Sequence, residues 1–259
     1  MSSINEHNIS IDHEKCIGCG LCVKDCVARN ITLKDKKAGI LAQDCILCGH
    51  CVAVCPKAAV SISGYEEEPV PSQGIRLDPE AVLEVIRQRR SVRQFQDREI
   101  PKAVLAQVLE AGRITHTAKN MQDVSLIVLD REKSKTEQMA VNLFRRIRPL
   151  AGLFNPLARR VPIDDHFFFF HAPIAIVIAA KAPIDGALAA QNMEFAAEAN
   201  GLGVLFSGYF TTAAGASRKI RKALGIPKGK KAVTTLVLGY PKVSYQRSAQ
   251  REPLDIQYL

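Results

Sequence analysis

Eight cysteines carry the most specific chemistry in the chain, and all of them fall between Cys16 and Cys55. They form two copies of one C-x2-C-x2-C-x3-C run: Cys16, Cys19, Cys22 and Cys26 in CIGCGLCVKDC, then Cys45, Cys48, Cys51 and Cys55 in CILCGHCVAVC, which Pro56 follows. A structural zinc site pairs two C-x2-C knuckles, and a disulfide scaffold belongs to a secreted chain. Neither accounts for an unbroken triplet plus a fourth cysteine, written twice. Three thiolates in one tight loop suit three irons of an iron-sulfur cubane, whose fourth iron needs a ligand from elsewhere. Gly18, Gly20 and Gly49 are small where the backbone must wrap around sulfur and point amides at it. Ile17, Leu21, Val23, Ile46, Leu47, Val52 and Val54 supply an apolar surround that excludes water. His50 reads as a neighbour of the ligands and not a ligand, because eight thiolates already satisfy two clusters.

The double run resembles that of the bacterial two-cluster ferredoxins, in which the fourth cysteine of each run serves the other cluster. The resemblance implies one 4Fe-4S cluster on Cys16, Cys19, Cys22 and Cys55 and a second on Cys45, Cys48, Cys51 and Cys26. The first run departs from the ferredoxin pattern at Val27, where proline often follows the last cysteine.

The elements that must carry these residues sit in an ordinary globular composition, 47% hydrophobic and 24% charged over 259 residues. The longest nearly apolar stretch, Phe167 to Ala180, contains His171 and Pro173, and a spanning helix needs about 20 apolar residues. No membrane span is expected. Met1 to Lys15 lacks the apolar region of a secretory signal, so a cytoplasmic location is expected. The formal charge of +9 is unevenly spread: residues 1–64 hold 7 basic and 6 acidic side chains, against 28 and 20 downstream. Those downstream cations are scattered, with one short run at Lys228 to Lys231 and no recognisable nucleic-acid-reading pattern, so nucleic acid is not an expected partner.

The chain therefore divides into a ferredoxin-like domain over 1–64, an acidic Pro- and Gly-containing linker over 65–76, and a larger domain over 77–259. In the larger domain, Asp78 and Pro79 start a helix that runs towards Arg90, and another helix follows Pro101. Ser125 to Leu129, Ile174 to Ala179 and Val233 to Leu238 read as buried strands. Helices are expected over Glu132 to Arg146, Asp185 to Asn200 and Thr212 to Leu224, and this order of elements implies an α+β or α/β sandwich, a sheet with surrounding helices. Gly201-x-Gly203 reads as a helix end followed by a tight turn and not as a dinucleotide loop.

Arg89-Arg90-Ser91-Val92-Arg93-Gln94-Phe95 sets three guanidiniums and a hydroxyl just after the first of these helices. By itself the segment reads equally as a cation-rich helix end or as a clamp for a phosphate. Together with THTAKNMQ at 115–122 and NGLGVLFSGYF at 200–210, it resembles the nitroreductase family of flavin enzymes. The resemblance implies an FMN-binding α+β fold that forms a homodimer with flavins at the subunit interface. It assigns Arg89, Arg90, Ser91 and Arg93 to the FMN phosphate and ribityl chain. His116, Thr117, Ala118, Asn120 and Gln122 fall in the segment near the partner's flavin ring, Ser207, Gly208 and Tyr209 in a loop along the flavin, and Arg251 at the phosphate. His116 and Asp123 stand where the family usually has proline. His116 reads equally as a surface imidazole and Tyr209 equally as core packing. Phe167 to Phe170 reads as a packed aromatic run, although four adjacent rings cannot all face one core.

Clusters exchange one electron at a time, whereas FMN handles one or two. The expected activity is a flavin-dependent oxidoreductase that draws on a low-potential donor such as a ferredoxin, with NAD(P)H as a second candidate donor. Its acceptor would be a small electrophilic molecule: a nitroaromatic, a quinone or an activated alkene. Substrate oxidation with electron export through the clusters, and a non-catalytic electron-transfer or redox-sensing module, are the alternatives. No side chain is assigned as an obligatory proton donor.

Overall fold

The computed structural model describes residues 7–42 and 44–259, with Leu157 described by its backbone alone. The first six residues of the domain expected over 1–64 thus lie outside the described residues, as does residue 43. Backbone contacts divide the chain into two compact units. The first runs through Arg76 and takes in Ala118–Met121; the second holds Leu77–Thr117 and Gln122–Leu259.

In the first unit the elements are β1 (Ile9–Ile11), α1 (Leu21–Asp25), β2 (Ile31–Lys34), β3 (Lys37–Ile40), α2 (His50–Val54) and β4 (Val60–Ile62). β1 pairs antiparallel with β4, Ile9 facing Ile62, and β2 pairs antiparallel with β3, Ile31 facing Ile40. Each cysteine of the first run recurs 29 residues later. The strands follow the same repeat, so the β1–β4 pair and the β3–β2 pair are equivalent halves. Asp35 and Lys36 turn the β2–β3 hairpin, both with positive φ (49° and 58°) as a tight two-residue turn demands. Ile9, Ile31, Ala38 and Val60 form a small core with Cys22 and Cys51. Between Ile62 and Pro79 the chain has no helix or strand.

In the second unit Asp78 accepts from Ala81 N at 2.7 Å and so caps α3 (Pro79–Gln88), with Pro79 in the first turn. α4 (Lys102–Arg113) leads to β5 (Ser125–Leu129), then come α5 (Lys133–Phe154), α6 (Pro156–Arg160), β6 (Ile174–Ala180) and α7 (Pro183–Ala199). β7 (Gly203–Phe206), α8 (Gly208–Ala216), α9 (Arg218–Ala223) and β8 (Lys231–Gly239) complete it. The sheet order is β5-β6-β8-β7, antiparallel throughout. Every residue of β6 is buried, and its period of two divides two cores. Ile174, Ile176 and Ile178 meet Val108 of α4 and Ala190, Met193 and Ala197 of α7. Ala175 and Val177 meet Val141 of α5, Phe210 and Ala213 of α8, and Ile220 of α9. The unit is an α+β sandwich with helices on both faces of the sheet.

Three expectations from periodicity are corrected here. The helix expected over Thr212 to Leu224 is two helices, broken where Ser217 turns extended (φ −109°, ψ 113°) and accepts from Ile220 N to cap α9. The helix expected over Glu132 to Arg146 continues to Phe154, through Pro149. Gly203, expected in a turn, begins strand β7, and a Cβ on it would stand 2.6 Å from Val92 Cγ2. Gly201, with φ 72°, does end α7 as expected.

Candidate functional site

Two apolar hollows in the first unit gather the cysteines. One is lined by Cys16, Cys19, Cys22 and Cys55 together with Ile11, Ile17, Leu21 and Val60. The other is lined by Cys26, Cys45, Cys48 and Cys51 together with Ile9, Ile31, Ile46 and Ile62. Each hollow thus takes three thiols from one run and the fourth from the other, because α1 and α2 lie side by side and their C-terminal ends carry Cys26 and Cys55 across.

Local backbone geometry aims amides at sulfur. Gly20 and Gly49 precede α1 and α2 with φ of 74°, the left-handed region. Amides reach Cys26 Sγ from Asn30 (3.3 Å), Cys16 Sγ from Ala38 (3.4 Å), Cys45 Sγ from Leu47 (3.3 Å) and Cys55 Sγ from Ala59 (3.3 Å). The amides of Ala38 and Gly18 hold the Cys16 thiol below its ordinary value. Burial pushes the Cys22 thiol up, and the Cys51 thiol up to about 11. Four thiols around an apolar hollow, with N–H groups already pointing at sulfur, suit a polynuclear thiolate-bound cluster whose own positive charge offsets the cost of burying thiolates. Among the described residues, no group of three or more His, Cys, Asp or Glu is gathered to hold a single metal ion.

The first unit also contains Asn120, whose Nδ2 donates to Leu47 O at 2.7 Å. Lys119 and Asn120 both have φ of 53°, in a short turn over Ala118–Asn120.

In the second unit six of the predicted residues lie along two cavities, while Ser91, His116, Thr117, Gln122 and Arg251 line neither. Arg89 and Arg90, at the end of α3, line a groove of about 700 Å³ with Val85, Glu198 and Tyr245. Arg93, Ser207, Gly208 and Tyr209 line a cleft of about 680 Å³ with Phe167 and Phe170. Val92 N donates to Val204 O at 3.0 Å and Gln96 N to Tyr240 O at 2.8 Å, fastening the arginine segment across the sheet end.

Arg89 is already paired: its Nη1 meets Glu194 Oε1 at 2.6 Å, and the Glu194 side chain is fully buried. Burial pushes the Glu194 carboxyl up while Arg89 and Gln191 oppose that rise. Arg90 donates through Nη1 to Arg87 O and Arg89 O, but its Nη2 is buried with no partner. Ser91 O accepts from Tyr245 Oη at 3.3 Å, and exposed Arg93 reaches Ser91 O at 3.4 Å.

Ser207 is buried and spends its hydroxyl on Phe168 O (3.0 Å) without capping α8. Tyr209 is 56% exposed and stacks on Phe167, ring centroids 5.8 Å apart. Its ring is therefore on the cleft and not in the core. The four phenylalanines split in the same way: Phe168 and Phe169 are buried, while Phe167 and Phe170 line the cleft.

His116 is exposed, and Thr117 Oγ1 accepts from Gln122 N at 2.9 Å. Asp123 is buried and accepts from Lys181 N at 3.0 Å, which gives its carboxylate a structural task just before β5. Arg251 lies exposed in the extended tail and donates to its neighbour Gln250 O at 3.5 Å.

Sequence reading missed two buried carboxylates. Glu194 looks like any helical glutamate until folding sets it against Arg89. Glu137 of α5 accepts from Phe168 N (3.1 Å) and Phe169 N (2.7 Å), with Lys133 one turn earlier and His166 Nδ1 at 3.7 Å. Burial pushes the Glu137 carboxyl up to about 7 against the pull of the two amides, Lys133 and His171.

The 4Fe-4S dicluster domain model matches residues 8–56, and the Nitroreductase family model matches residues 86–240. A protein of Methanothermobacter thermautotrophicus, provisionally named NADH dehydrogenase/NAD(P)H nitroreductase, is 26% identical over 169 residues, covering 62% of this chain and 77% of its own. Two crystal structures of nitroreductases with bound FMN share the fold. That from Desulfitobacterium hafniense has TM-score 0.57 and 21% identity, covering 68% of this chain and 97% of its own. That from Bacteroides fragilis has TM-score 0.54 and 22% identity, covering 68% and 98%. The sandwich, its arginine turn and its serine-glycine loop are thus matched by a family model across more than half of the chain, and the protein belongs to the nitroreductase family, with a 4Fe-4S dicluster domain on its N-terminal side.

Proposed function

We propose that the protein is an FMN- and iron-sulfur-dependent oxidoreductase that takes electrons from a low-potential, ferredoxin-like donor and reduces an electrophilic organic molecule such as a nitroaromatic, a quinone or an activated alkene. The domain division underlying this reading is 1–64, a linker over 65–76, and 77–259. When bound, two 4Fe-4S clusters supply single-electron exchange and FMN supplies its conversion into two-electron chemistry.

The observation that carries the reading is the crossed arrangement of thiols in two apolar hollows, within the same chain as a nitroreductase-family sandwich. Cys16, Cys19, Cys22 and Cys55 would hold one cluster, and Cys45, Cys48, Cys51 and Cys26 the other. The unpartnered Nη2 of Arg90, with Ser91 and Arg93 on the same turn, fits a phosphate that brings its own acceptor oxygens. Arg89 adds positive charge there while Glu194 fixes its orientation. Ser207, Gly208 and Tyr209 would lie along the flavin ring, and the cleft has the size of a small-molecule site. His116, Thr117, Ala118, Asn120 and Gln122 are proposed contacts in a homodimer, where the family places the ring between subunits, and Arg251 is a proposed contact of the phosphate.

The test is anaerobic purification followed by the visible spectrum and by iron, sulfide and flavin analysis. Reduced ferredoxin and NAD(P)H are then offered separately, and flavin bleaching is followed with and without candidate acceptors. Turnover with reduced ferredoxin and an acceptor is expected. Reversible bleaching without turnover on any acceptor would replace the enzyme by an electron-transfer or sensing module. Bleaching by a reduced organic substrate, with electrons leaving to oxidised ferredoxin, would reverse the direction.

A further inference from the structure

The two cysteine hollows are equivalent by the 29-residue repeat, yet their charges differ. The hollow of Cys16, Cys19, Cys22 and Cys55 has two cations beside it. Lys57 is among its lining residues, and Lys37 is pinned by Nζ bonds to Cys16 O and His13 O, both 2.7 Å. Twenty-nine residues earlier, the equivalents of Lys37 and Lys57 are Asn8 and Ala28, both uncharged. Ala28 lines the second hollow as Lys57 lines the first, and Arg29 is exposed and not among the lining residues. Immediately before the first cysteine of each run stand Lys15 and Asp44, again the cation on the side of Cys16. Lys15 is neutralised by Asp12 at 3.2 Å, so Lys37 and Lys57 carry the asymmetry.

Exposure differs in the same sense: Cys19 is exposed, whereas its equivalent Cys48 is half-buried. Net charge and solvent access are among the terms that set a cluster's potential. Reduction adds one electron to an anionic group, so nearby fixed cations and water favour the reduced state, and a dry uncharged pocket opposes it.

We propose that Lys37 and Lys57 make the cluster held by Cys16, Cys19, Cys22 and Cys55 the more easily reduced of the two, so that the first electron entering this unit settles there. This rests on the ligand sets proposed above. The step is a one-electron reduction of that cluster against a one-electron oxidation of the external donor, with no bond made and no proton moved. The second cluster is then the stronger reductant of the pair.

The test is a potentiometric titration of the full-length, anaerobically reconstituted protein, with each cluster followed by electron paramagnetic resonance, in wild type and in K37Q, K57Q and N8K. K37Q and K57Q are each expected to lower the higher midpoint and leave the lower one in place. N8K is expected to raise the lower midpoint and narrow the gap. If K37Q loses iron because the lysine also braces the loop, K57Q carries the same expectation from an exposed position. Movement of the lower midpoint in K37Q or K57Q, or of neither midpoint, overturns the assignment. Wild-type protein that binds less iron and sulfide than two clusters need would instead overturn the ligand reading, so the two failures are distinguishable.

Discussion

Ser207 and Glu137 hold opposite ends of one peptide group. The Ser207 hydroxyl donates to Phe168 O at 3.0 Å, and the next amide, Phe169 N, donates to Glu137 Oε1 at 2.7 Å. Ser207 starts the loop that lines the cleft, and Glu137 is a buried carboxylate of α5, so the aromatic wall of the cleft is clamped between a hydroxyl and an ionisable group.

That clamp makes stability depend on pH. Glu137 titrates near 7 in the folded chain, above its ordinary value of 4.5, because burial disfavours the anion. A carboxyl raised in this way favours the fold while protonated, and that contribution is lost as pH rises from about 4.5 through about 7. Thermal unfolding followed between pH 5 and 8 should show a falling Tm for wild type and a flatter profile for E137Q. Identical slopes would mean that Glu137 does not titrate in this window.

The arginine turn predicts selective loss of a phosphate contact. Removing a charge-assisted hydrogen bond costs about 1.5–3 kcal/mol, or roughly one to two orders of magnitude in affinity. Fluorescence titration of apoprotein should show R90A binding FMN about 10- to 100-fold more weakly, with riboflavin, which lacks the phosphate, nearly unaffected. Equal loss for both ligands would assign Arg90 a purely structural role.

Gly18 and Gly20 share a left-handed backbone but not a neighbourhood. A Cβ at Gly18 would stand 2.1 Å from Lys36 O in the hairpin turn, whereas at Gly20 nothing lies within 4 Å. G20A should cost only the left-handed penalty, about 1–2 kcal/mol, and keep its iron. G18A must push the β2–β3 hairpin away and should lose about half of the iron and sulfide on analysis. Leu47, in the equivalent place of the second run, also has positive φ (55°).

Gly203 lets the arginine turn sit close to β7. Alanine there overlaps Val92, and overpacking of this kind costs about 1–3 kcal/mol. G203A should lower Tm and FMN affinity together, because Val92 lies between Ser91 and Arg93. A lowered Tm with unchanged FMN affinity would separate that packing from the cofactor site.

The cysteine spacing, the strands Ser125–Leu129 and Ile174–Ala180 and the capped start of α3 at Asp78 were legible in the chain itself. Each rests on local chemistry: ligand spacing along a short loop, a short continuous apolar run, and a side chain accepting from an amide three residues on. The strand role of Gly203 was not, since it depends on which distant backbone lies alongside; the break at Ser217 was missed although its cap, a side chain accepting from Ile220 N, is as local as that of Asp78.

Residue order alone thus establishes eight thiols in two equal runs, a cation-rich turn after the first helix of the larger domain, and a sheet with covering helices. Packing adds that each hollow takes its fourth thiol from the other run, as the ferredoxin resemblance implies, that Arg89 is spoken for by Glu194 while Arg90 keeps an unpartnered N–H, and that Lys37 stands beside one set of cysteines and not the other. The difference is one of range. Ligand spacing, capping and periodicity are written within a few consecutive residues, whereas burial and pairing of charge are set by groups far apart in the chain, such as Arg89 and Glu194, that meet only once the sheet and its helices have packed.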